Sequence, residues 1–152
     1  MKSLSRLLWV LVLVGVSLVP VNPAFAGVTC HQINAKGEGQ VNFDTNSSVG
    51  QIIGGGLLHG TTEGFFTFTS FDPDTGVGTY EGTFRITTKH GTLTLHMFDG
   101  IFNTQTGVFS NDSTAVAGTG KLEGPTGGLF FEGVVAPDGH FTDTIRGEIC
   151  LD

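Results

Sequence analysis

From Gly27 to the C-terminus, apolar and polar residues alternate in short runs broken by turn residues, and no stretch combines a helical apolar period with good helix formers. Tyr80, Gly82, Phe84 and Ile86 share one side of a strand, opposite Thr79, Glu81, Thr83, Arg85 and Thr87. Leu93, Leu95 and Met97 repeat the pattern against Thr92, Thr94 and His96. A period of two predicts strands with one dry and one wet face. The dry face is assigned to the aromatic and aliphatic set, which leaves Glu81, Arg85 and His96 in water.

Clusters of residues that accept tight-turn dihedrals separate the runs: Asn46-Ser47-Ser48, His59-Gly60, Asp72 to Gly76, Lys89-His90-Gly91, Asn103 to Gly107, Gly124 to Gly127 and Ala136 to Gly139. They leave eight expected strands, roughly at residues 29–43, 49–58, 61–71, 77–87, 91–102, 106–118, 128–135 and 140–151, spaced as antiparallel hairpins. The 24 glycines and 13 phenylalanines suit pleated strands joined by turns. An eight-stranded meander buries its inner face by closing or by folding into a sandwich, and an up-and-down antiparallel β-barrel is the all-β fold expected here.

The first 26 residues read differently. Lys2 and Arg6 precede an apolar run from Leu7 to Val19 and then Ala24-Phe25-Ala26, the pattern of a cleaved signal peptide, so residues 27–152 are expected to form one exported domain. The apolar run is shorter than the roughly 20 residues that span a bilayer. The two cysteines, Cys30 and Cys150, stand near the ends of that domain, and export predicts that they form a disulfide that brings the first and last strands together. This pairing favours closure of the barrel. Without Lys2 and Arg6, five basic residues face fourteen acidic ones, a formal charge of −9 that disfavours nucleic acid and anionic membranes as partners.

The segment Val116-Ala117-Gly118-Thr119-Gly120-Lys121-Leu122-Glu123-Gly124-Pro125-Thr126-Gly127 resembles the Gly-Gly-Thr-Gly-Arg-Phe-x-Gly-Ala-x-Gly signature of the allene oxide cyclase and dirigent superfamily, in particular its small exported bacterial members. Gly54 to Gly60, Gly91-Thr92-Leu93 and Gly147-Glu148-Ile149-Cys150 fit the same layout. The resemblance implies a calycin-like eight-stranded barrel with an apolar cavity. It also implies an activity on lipid-derived epoxides or phenols without a cofactor. The chain departs from the signature at Ala117, Leu122 and Pro125, and no catalytic position of the family is matched. Gly118, Gly120, Gly124 and Gly127 are read as structural, because glycine lets a strand end, bend at a barrel corner and restart.

Other chemistry is thin. His31, His59, His90, His96 and His140 show no ligand spacing, and His90 and His96, six apart on a strand, would lie roughly 20 Å from each other. No metal site is expected. Asp72-Pro73-Asp74-Thr75-Gly76 reads as a hairpin turn rather than a calcium loop, and no nucleophile elbow occurs. Asn46 and Asn111 sit in glycosylation sequons.

These readings lead to a binding module for a small hydrophobic molecule, with Phe66, Phe68, Tyr80, Phe84, Leu93 and Leu95 and some of Phe98, Phe130 and Phe131 lining a lumen of roughly 300 Å³ or more. A cofactor-free cyclase or isomerase is the alternative, marked by a perturbed carboxylate deep in the cavity. A structural or interaction protein with a packed barrel, free to form a homo-oligomer, is the third.

Overall fold

A computed structural model describes residues 27–54 and 56–152. The signal-peptide reading of residues 1–26 lies outside the described residues. Eight strands follow in chain order: β1 (Thr29–Asn42), β2 (Ser47–Ile53), β3 (Gly60–Asp72), β4 (Val77–Thr88), β5 (Gly91–Asn103), β6 (Val108–Gly118), β7 (Thr126–Val135) and β8 (His140–Leu151). Each pairs antiparallel with its sequence neighbour, and β1 pairs with β8, so the sheet closes into an up-and-down barrel. At that seam Cys30 and Cys150 are direct register partners and are joined by the disulfide. The expected strands all form, with one correction. The second strand stops at Ile53 rather than continuing to residue 58, because the chain turns through positive φ at Gly54 and Gly56 and forms a short 3-10 turn at Gly56–Leu58.

The alternation resolves into inside and outside as expected. Phe84, Ile86, Leu93, Leu95 and Met97 are buried, while Glu81, Arg85 and His96 are exposed on the outer wall, where Arg85 pairs loosely with Glu63 at 3.8 Å. The two ends of the barrel differ. At the end that carries the disulfide, two 3-10 turns fold inward, Gly56–Leu58 after β2 and Gly120–Leu122 after β6. They insert Leu58 and Leu122 beside Ile86, Leu93 and Ile149, all fully buried. This end is a packed plug of branched aliphatic side chains.

The glycine-rich segment builds half of that plug. β6 ends at Gly118, where a Cβ would overlap the Leu122 carbonyl, and Gly120 has φ +64. Thr119 and Lys121 donate their backbone N–H groups to Thr92 and His90, tying the turn over the start of β5. Gly124 and Gly127 also hold positive φ before the chain settles into β7. Gly118 thus meets a close backbone approach and the other three a left-handed backbone conformation. The opposite end carries four hairpin turns, at residues 43–46, 73–76, 104–107 and 136–139, and a small cavity lies between the inner side chains there.

Candidate functional site

Strand halves that run into these four hairpins place mostly aromatic side chains on their inner face. Phe66 and Phe68 come from β3, Tyr80 from β4, Phe102 from β5, Phe109 from β6 and Phe141 from β8, and together they surround a cavity of about 80 Å³. Phe84, packed edge-on against Phe131 at 5.1 Å, and Met97 separate it from the aliphatic plug. Phe66, Phe68 and Tyr80 meet edge-to-face at 5.9 to 6.2 Å. Phe43, from the first hairpin turn, stacks on Phe102 at 5.4 Å and remains 44% exposed at the rim. The volume corrects the expected 300 Å³.

Besides Ser48, three polar side chains interrupt this apolar wall. Asn111 accepts a hydrogen bond from the Tyr80 hydroxyl at 3.0 Å. Gly100, the register partner of Tyr80, provides space for its ring, since a Cβ there would come within 2.7 Å of two ring carbons. Beside it, Asp99 adopts φ +50 where the β5 register slips against both neighbours. Such a bulge re-aims the strand locally. Burial pushes the Tyr80 hydroxyl up from its ordinary value, with the negative charge of Asp143 as the second cause.

Asp143 is the third. It lies on β8 between Phe141 and Ile145, all three pointing inward and buried, and its Oδ1 has no hydrogen-bond partner among the described residues. Its register partners on the two neighbouring strands are both glycines, Gly37 and Gly133. A Cβ at Gly37 would collide with Oδ1 and one at Gly133 with the Asp143 Cβ, so the carboxyl group fits only because both neighbours lack a side chain. Burial raises its pKa to about 6, against a smaller opposing pull from the Gly37 backbone amide. A carboxylate removed from water and left without a cation disfavours its charged form for this reason.

Of the six residues expected to line the lumen, Phe66, Phe68, Tyr80 and Phe84 do so. Leu93 and Leu95 point inward but belong to the packed part of the barrel, on the plug side of Phe84, because β5 starts at the closed end. Phe131 reaches the cavity, whereas Phe98 and Phe130 fall on the outer wall, one residue out of phase with buried Met97 and Phe131. Asp143 and Asn111 escaped the reading of the sequence, although each leaves a trace. The inward series Phe141, Asp143, Ile145, Ile149, Leu151 contains a single charge, and Phe109, Asn111, Ser113, Ala115 turns polar at two steps.

The remaining candidates are structural. Asp72 accepts bonds from the Thr75 hydroxyl and the Asp74 backbone within its turn, and these lower its pKa. The one cluster of metal-ligating types among the described residues, Cys30, Glu148 and Cys150, has both sulfurs in the disulfide. Asn111 is buried on the inner face, so its sequon is not open to a glycan in the folded barrel. No protein-family model matches the chain, and no curated protein matches it by sequence.

Proposed function

We propose that the protein is an exported binding module whose lumen takes one compact end of a small, largely hydrophobic molecule at the hairpin end, with Asp143 as the polar anchor. The observation that carries this reading is a buried carboxyl group, one oxygen of which has no partner among the described residues, in the wall of a largely aromatic cavity. Binding sites combine an apolar lining with a few convergent polar groups, and a buried unsatisfied oxygen costs stability unless a partner arrives. Export is supported by the disulfide, which persists in oxidising compartments. Kinship with the allene oxide cyclase and dirigent superfamily is part of the same proposal. It rests on the Val116 to Gly127 segment, and that segment lies at the closed end, away from the cavity. A cavity this small admits a head group and not a lipid chain.

Methionine and tyrosine supply local reporters. Met97 is the only methionine besides Met1, and Tyr80 is the only tyrosine; both line the cavity. Titration with phenol or tert-butanol is expected to give saturable NMR shifts of the Met97 methyl and Tyr80 ring. Phe84→Trp, which adds volume at the cavity floor, is expected to weaken them while the barrel still folds. Absence of any saturable shift at both reporters in the wild type would overturn the reading.

A second reading draws on the same carboxyl. Asp143, with a pKa near the operating range of a general base and Tyr80 close enough to feel its charge, suits a cofactor-free isomerase that moves a proton on a bound substrate. Turnover of an enolisable ketone by the wild type, with binding but no turnover in Asp143→Asn, would favour it over simple binding.

A further inference from the structure

The charge pattern around the cavity narrows the ligand. Asp143 is 9% exposed, and among the described residues no Lys, Arg or His lines the cavity with it. The only other titratable side chain in the lining is Tyr80, whose hydroxyl is already given to Asn111. The charged neighbours on the flanking strands, Lys36 and Glu38 on β1 and Glu132 on β7, alternate with inward positions and stand on the outer wall. Asp143 also borders an outer-wall groove with Lys36, Glu38 and Glu132, but no Lys, Arg or His among the described residues forms an ion pair with it.

Two further features point the same way. The hairpin turns at the mouth and the strand ends beside them carry Asp44, Asp72, Asp74 and Asp138 and neither Lys nor Arg. All five basic side chains of the described residues, Lys36, Arg85, Lys89, Lys121 and Arg146, lie on the outer wall or at the closed end. A mouth of one sign, with low-dielectric walls behind it, concentrates counter-ions of the other sign. Inside, the rings of Phe66, Phe68 and Tyr80 stand edge-to-face, which turns their electron-rich faces in different directions around a small volume. Aromatic faces attract ammonium groups, most strongly where water is excluded.

We infer that the ligand of the lumen carries a compact organic cation, a quaternary ammonium or protonated amine head, which pairs with Asp143 and packs against the surrounding rings. This rests on the lumen being a binding site and goes beyond it by fixing the sign of the charge. An anionic head is excluded on the same ground, because its carboxylate would face Asp143 within a cavity that offers no cation. The cavity volume of about 80 Å³ matches a head of a few heavy atoms, and the rest of the ligand would extend past Phe43 toward solvent.

The test compares three probes of nearly equal shape by NMR of the Met97 methyl, at constant ionic strength and about pH 7.5. These are choline, the neutral alcohol in which carbon replaces its nitrogen, and the carboxylate of the same carbon skeleton. Choline is expected to bind about tenfold or more tightly than the neutral isostere, and the carboxylate not detectably. Between about pH 7.5 and pH 5 the choline affinity should fall about tenfold as Asp143 takes up a proton, while the neutral probe is unaffected. His140→Gln, at the start of β8 on the outer wall, should keep that dependence. Asp143→Asn should abolish the preference and retain the neutral probe; if that variant does not fold, the pH series on the wild type decides.

Equal or tighter binding of the neutral isostere would overturn the cationic assignment and leave the lumen as a binding site. A preference for choline that survives Asp143→Asn, or that is flat with pH, would assign it to the acidic mouth alone and overturn the pairing. If none of the probes moves Met97, the binding-site reading fails together with the inference.

Discussion

The two ends of this barrel are built from the same strands and solve different problems. At the closed end, Leu58 and Leu122 descend from 3-10 turns onto Ile86, Leu93 and Ile149, and the interior is aliphatic and completely buried. At the hairpin end, phenylalanines replace leucines and isoleucines, the rings leave a cavity, and a carboxyl group is buried with one oxygen unpartnered among the described residues. Branched aliphatic side chains interdigitate to crystal-like density, whereas flat rings meeting edge-on leave gaps between them. The difference teaches that one half of the interior contributes stability and the other half gives some of it up around Asp143.

Mutations at the two ends should separate these contributions. The largest effect is expected at the seam: replacing Cys30 and Cys150 together with serine should lower stability by about 4–5 kcal/mol in the loop-entropy model, measured by chemical denaturation, without changing binding at the far end. Leu95→Ala, in the packed half, should cost about 2–5 kcal/mol, while Phe68→Leu at the half-buried rim should cost less than about 1.5 kcal/mol. Equal losses at both positions would erase the distinction between the ends.

Asp143→Asn should act in the opposite direction. The folded pKa of about 6 lies above the ordinary carboxylate value of 3.8. The group therefore favours the folded state fully below about pH 4, and that contribution is lost as pH rises through about 6. At pH 7 the buried charge costs on the order of 3 kcal/mol, so the Asn variant should gain about 1–3 kcal/mol there and nothing near pH 4. A thermal melt at both pH values checks it. The smallest effect is expected at Gly124, where φ is +65: Gly124→Ala should cost about 1 kcal/mol with lumen binding unchanged.

How much of this the sequence disclosed follows from where each signal resides. Alternation in β4 and β5 gave both faces correctly, since a strand's period is fixed by backbone geometry, and the terminal cysteines gave the closing seam. The end of β2 was legible only in part, because Gly54 and Gly56 mark a break whose direction depends on burial of Leu58. Height along the barrel was not legible at all. Leu93 and Phe84 share the inner face, yet one joins the plug and the other borders the cavity, and that depends on which end β5 starts from. Asp143 carries a readable anomaly in β8, but its meaning requires Gly37 and Gly133 beside it, residues remote in sequence that the register brings to its flanks.

Titration of the Asp143 carboxyl tests most directly whether the hairpin end holds a buried carboxylate, without an ion-pair partner among the described residues, for a ligand to meet. The side-chain carbon can be followed by NMR through a pH titration of the ligand-free protein. A midpoint near 6 is expected, moving downward when a cationic ligand is present. A midpoint at or below about 4 in the free protein would show a solvated or internally paired carboxylate and contradict it.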